Sequence, residues 1–88
     1  MDGQLETGYT ADKKSAHLLA RTQGGESVLL VSDYSPGVVR LKVTVPGESE
    51  RQVVDLFSGE VVAHLEETQR SFSVTLKRDF QARLYQLR

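Results

Sequence analysis

Few of the reactive side chains among the 88 residues stand in a spacing that covalent or metal chemistry needs. There are two histidines, His17 and His64, no cysteine, and neither His-x-His nor HExxH spacing around them. A zinc-type centre needs three or four such donors converging, so two histidines in separate strands are expected as ordinary surface residues. Asp55 and Glu60 flank a turn, and paired carboxylates are what a glycosidase sets on either side of a scissile bond. A single hairpin does not enclose a sugar ring, however, and Asp55 is better read as structural. In Asp55-Leu56-Phe57-Ser58-Gly59-Glu60 its carboxylate accepts the backbone amides of the turn while Gly59 takes the left-handed position. No Gly-x-Ser-x-Gly elbow activates a serine. Gly24-Gly25 stands without the further glycines of a phosphate cradle and reads as a turn. No residue is therefore assigned to catalysis, to a cofactor or to a metal, and no cofactor is implied.

Binding chemistry is equally sparse. Sugar rings stack on exposed planar aromatics, and the candidates are Tyr9, Tyr34 and Tyr85, because tryptophan is absent and Phe57, Phe72 and Phe80 are expected in the core. Any carbohydrate contact should be weak. Eleven basic residues against twelve acidic ones give a net charge of −1, which removes the electrostatic argument for nucleic acid or an anionic membrane as partner. The late basic residues Arg70, Lys77, Arg78, Arg83 and Arg88 are interleaved with Glu66, Glu67 and Asp79, the pattern of a mixed solvated face. The longest aliphatic run, Val28 to Val31, is far short of the ~20 residues of a membrane span. Met1-Asp-Gly-Gln-Leu-Glu has no basic or apolar region of a signal peptide, which favours a cytoplasmic location.

The elements that position these residues read as strands. Residues 1–14 are polar and aperiodic, and are expected to form a flexible lead-in or linker to a single domain over 15–88. Ser15 to Gln23 suits a strand leading into the Gly24-Gly25 turn better than a helix capped by Thr10 or Asp12. Val28 to Tyr34 is a β-run closed by Ser35-Pro36-Gly37. Val39, Leu41, Val43 and Val45 alternate with Arg40, Lys42 and Thr44, the clearest period of two in the chain. Arg51 to Phe57, Val61 to Leu65, Phe72 to Leu76 and Phe80 to Leu87 complete the set. Six or seven short strands, eleven valines and no proline inside any of them predict an all-β fold, a single small antiparallel β-sandwich. Val28, Leu30, Val53, Val61, Val74 and Leu84 are the expected core. Leu29, Val31, Val54, Leu56, Val62 and Leu87 then form second apolar faces, more than a lone domain should expose.

Three segments carry a family likeness. Ser27-Val28-Leu29-Leu30-Val31-Ser32-Asp33-Tyr34-Ser35 is similar to a strand ending in an Asn-x-Ser-type turn, with Asp33 where Asn is common. Val53 to Val62 resembles an Asp-hydrophobic-x-Ser/Thr-Gly-Glu/Lys hairpin, and Phe72 to Leu76 with Phe80 and Ala82 to Leu87 resembles a closing strand pair. Together, residues 16–88 resemble the small C-terminal β-sandwich domain that follows the catalytic barrel in glycoside hydrolases, notably family 42 β-galactosidases and the α-amylase group. Lys77 and Arg78 depart from it, standing where members often have a proline-aromatic turn. The resemblance implies a non-catalytic accessory domain that packs against and stabilises a catalytic barrel. The catalytic carboxylates of such enzymes lie in the barrel, so none is carried over to this chain. The alternative is an independent module binding a carbohydrate or a protein.

Overall fold

A computed structural model describes residues 4–77 and 81–88. Among these residues nine strands run β1 (Gln4–Glu6), β2 (Thr10–Ala11), β3 (His17–Gln23), β4 (Glu26–Ser32), β5 (Val39–Thr44), β6 (Arg51–Asp55), β7 (Val61–Leu65), β8 (Ser71–Leu76) and β9 (Ala82–Leu87). They form a six-stranded sheet, β1-β3-β4-β9-β6-β7, and a three-stranded sheet, β2-β5-β8, antiparallel throughout. The fold is all-β and sandwich-like, as the spacing of apolar runs predicts. Leu29, Val31, Val53 and Leu87 from the large sheet meet Leu41, Val43, Val74 and Leu76 from the small one in a single core. Phe72 and Tyr85 join the sheets edge to face, with ring centroids 5.2 Å apart at 75°.

Of the six or seven strands expected over residues 15–88 the structure has seven, β3 to β9, and Ser15 to Gln23 contributes a strand. β3 and β4 form a hairpin whose two-residue loop is Gly24-Gly25, with φ of 60° and 83°. Both central residues of such a turn need positive φ, which glycine adopts without steric cost.

Residues 4–11 differ from the expected lead-in. Rather than a free lead-in, Gln4–Glu6 pairs with β3 and Thr10–Ala11 pairs with β5, so this segment adds a strand to each sheet. Its anchoring is polar: the Glu6 carboxylate accepts from Tyr9 Oη (2.8 Å), Thr22 Oγ1 (2.7 Å) and Ser27 Oγ (2.6 Å). Arg51 Nη2 in turn donates to Ser27 Oγ at 3.0 Å and to the Leu87 carbonyl at 2.9 Å. Short strands held by hydroxyl–carboxylate bonds leave no apolar period to read.

The core also takes the opposite parity in two strands. Leu29, Val31, Tyr85 and Leu87 face inward, while Val28, Leu30 and Leu84 face outward and are only partly covered. Both faces of β4 are aliphatic, so its own pattern cannot choose. Tyr85 and Leu87 fill more interior volume than Ala82 and Leu84, and the register Leu29↔Tyr85 then carries β4 with them. Val53 and Val74 are buried as expected, whereas Val61 is 55% exposed. Phe57, expected in the core, is 60% exposed, because β6 ends at Asp55 and the chain turns before reaching it. Phe72 is buried. Phe80 lies outside the described residues.

Candidate docking site

The β6–β7 hairpin is organised by one carboxylate. Asp55 is buried at the end of β6, and its Oδ1 accepts the amides of Phe57 (2.8 Å) and Ser58 (3.3 Å). Its Oδ2 accepts Arg83 Nη1 from β9 at 3.3 Å. The Asp55 backbone closes the loop as well, accepting from the Gly59 amide at 2.7 Å and donating to the Glu60 carbonyl at 2.9 Å. Gly59 sits at φ +76°, a conformation that a side chain would strain. This is the structural role that the spacing of Asp55 and Gly59 implies. The Asp55 carboxylate is committed to the turn and Glu60 is exposed, so the pair is not arranged about an open cleft.

What the turn displays is apolar. A register shift between β6 and β7 opposes Val53 to Ala63 but Val54 to Val61, leaving Val62 as the extra residue of a bulge. Leu56 and Phe57 on one arm and Val61 and Val62 on the other are all exposed. Four large apolar side chains therefore cap one short hairpin, and Asp55 fixes the backbone that presents them. The sequence places Leu56 and Val62 on a second apolar face and Phe57 and Val61 inward; the early end of β6 and the bulge bring the latter two out.

The other candidates separate. His17 and His64 lie in the large sheet on β3 and β7, with β4, β9 and β6 between them, a lateral gap of ~19 Å at ~4.8 Å per strand. They cannot share a ligand. Among the described residues no group of three or more His, Cys, Asp or Glu is placed to hold a metal ion. Of the tyrosines, Tyr85 is buried, which removes it from any sugar platform. Burial, with the Asp55 charge adding to it and Arg83 opposing, pushes its phenol up to about 12. Tyr9 is half-buried and spends its hydroxyl on Glu6. Only Tyr34 is open, at 67% exposure. It follows Asp33, a second buried aspartate whose Oδ1 accepts the Ser35 amide (2.9 Å) and whose Oδ2 accepts the Ser15 hydroxyl (2.7 Å). Tyr34 and Phe57 thus leave the sheet on either side of β9, each from a turn built on an aspartate.

Arg70, Arg83 and Arg88 are spent separately. Arg83 holds Asp55, and Arg88 pairs with Glu26 at 3.5 Å. Arg70 donates to the carbonyls of Val45, Pro46, Ser49 and Glu66, clamping the β5–β6 and β7–β8 loops together. Lys77 is exposed, and Arg78 lies outside the described residues. No protein-family model matches this chain, and no curated protein matches it by sequence.

Proposed function

We propose that this chain is a non-catalytic accessory domain of a glycoside hydrolase, docking on the catalytic barrel through the β6–β7 hairpin tip and stabilising it. The observation that carries docking is the cluster of Leu56, Phe57, Val61 and Val62, four exposed apolar side chains on a turn fixed by the partly buried hydrogen bonds of Asp55. A rigid apolar knob is suited to insertion into a partner's surface, since little conformational freedom is lost when it is covered. The parent's identity rests on the resemblance of residues 16–88 to glycoside hydrolase terminal domains. Coding sequence for a barrel directly upstream of Met1 tests it, and a stop codon there overturns it. Within such an enzyme, Phe57→Ser with Val61→Ser should lower the melting temperature while leaving KM for a glycoside unchanged.

Binding of glycans by a free-standing module is the second reading, favoured by Tyr34 and Phe57, the open aromatics among the described residues. Titration with oligosaccharides separates the two. Micromolar affinity lost in Tyr34→Ala or Phe57→Ala establishes the glycan reading, and its absence leaves the hairpin to a protein surface.

A further inference from the structure

The outer face of the six-stranded sheet carries a row of leucines. Leu19 lies opposite Leu30 and Leu30 opposite Leu84, and the Leu56 amide donates to the Leu84 carbonyl at 3.0 Å, carrying the row to the turn residue just past β6. At ~4.8 Å per strand the row spans ~14 Å. Leu19, Arg21, Val28, Leu30 and Leu84 border a depression of about 230 Å³ on this face. Toward the end of the same face, Glu26 and Arg88 form a solvent-accessible ion pair at 3.5 Å, one on β4 and the other just past β9.

We propose that this face pairs with the same face of a second copy of the chain, about a two-fold axis running along the strands between β4 and β9. That operation lays Leu30 over the partner's Leu84 and Leu19 over the partner's Leu56. It also lays Glu26 over the partner's Arg88 and Arg88 over the partner's Glu26, closing a four-membered ring of alternating charge. A slip by one strand would set like charge over like, so the ion pairs fix the register that the leucines alone leave open. Stacked sheets lie ~10 Å apart, within reach of an arginine and a glutamate extended toward each other. Packed sheets also cross at ~30°, so the overlay is closest at the charge ring, and toward the leucine row the partner's side chains shift by about one strand spacing. Strands of seven, seven, six and five residues give a footprint of roughly 400 Å² per copy, against about 800 Å² per partner in a stable complex. The dimer is accordingly weak and concentration-dependent. It is independent of the accessory-domain reading, and Leu56 is the corner shared with the hairpin tip.

Sedimentation velocity on the whole chain, from ~10 µM to ~1 mM, spans the dissociation constants such an interface supports. The mass should rise from 9.8 kDa toward twice that value. Leu84→Glu, or Leu19→Glu if the first variant misfolds by circular dichroism, should remain monomeric throughout. Glu26→Arg and Arg88→Glu should each weaken association at least tenfold, and the double exchange should return it to within threefold of the original. Phe57→Ser should leave it unchanged. A wild-type chain monomeric at the highest concentration overturns the proposal. So does association that survives both single charge reversals, or that Phe57→Ser abolishes.

Discussion

Arg83 and Asp55, 28 residues apart in sequence, meet at 3.3 Å between β9 and the end of β6, joining the closing strand to the turn that presents Leu56 and Phe57. The guanidinium completes a carboxylate already occupied by two turn amides. Asp55→Ala removes all three acceptor contacts at a buried position. It should cost ~2–3 kcal/mol, the usual penalty for stranding buried donors and a partner charge. Asp55→Asn keeps an acceptor for the amides and should cost less. Urea unfolding of the two variants checks the order, and equal losses would show that the turn amides do not depend on this oxygen.

Acid should loosen the N-terminal strand. Burial raises the Glu6 pKa, but the hydroxyls of Ser27, Thr22 and Tyr9 and the charge of Arg51 outweigh it and hold it below the ordinary carboxylate value. Asp33 is lowered too, by the hydroxyls of Ser35 and Ser15 and by the Ser35 amide, against a small opposing effect of burial. A depressed folded value means the unfolded chain binds protons first as pH falls. The stabilisation is complete above about pH 4.3, the unfolded glutamate value, and disappears as pH drops through the lower folded one. Urea midpoints between pH 6 and pH 3 should fall less steeply for Glu6→Gln than for the wild type. An unchanged slope would contradict the Glu6 assignment.

Parity in β4 can be read by truncation. Leu29→Ala should cost ~2–4 kcal/mol, as for a fully buried leucine whose cavity only partly collapses. Leu30→Ala, on the outer face, should cost under ~1 kcal/mol. The reverse order in denaturant unfolding would place the other face of the strand inward.

Arg70→Lys should cost ~1–2 kcal/mol, since a lysine ammonium cannot reproduce the planar fork that reaches carbonyls in two loops. Faster amide hydrogen exchange at Val45, whose N–H bonds the Arg70 carbonyl, should accompany it. Wild-type exchange there would mean that the loops hold without the clamp.

Strands with one polar face were readable from residue order alone. β5 alternates buried and exposed along its whole length and β8 does so from Phe72 to Leu76, and their sequences alternate to match. The Asp55–Gly59 turn was equally plain, because its chemistry is local. Where both faces are aliphatic, as in β4, orientation depends on which neighbour fills the interior, and Tyr85 against Phe72 is a contact between sheets that no local pattern encodes. Phe57 misled for a related reason: an aromatic next to a valine run reads as core until an aspartate two residues earlier ends the strand. The hairpin tip, half anticipated through Leu56 and Val62, became a single cluster only with the bulge at Val62.

The pairing of β1 with β3 and of β2 with β5 has a consequence for shortened versions of this protein. A chain cut to begin at residue 15 would keep nearly all of the apolar core, yet it would bare the outer rims of β3 and β5 at once. Unpaired amides and carbonyls along a strand are a template for other chains. Such a truncation should therefore fail first by aggregation rather than by unfolding, with soluble yield dropping well before the melting temperature does.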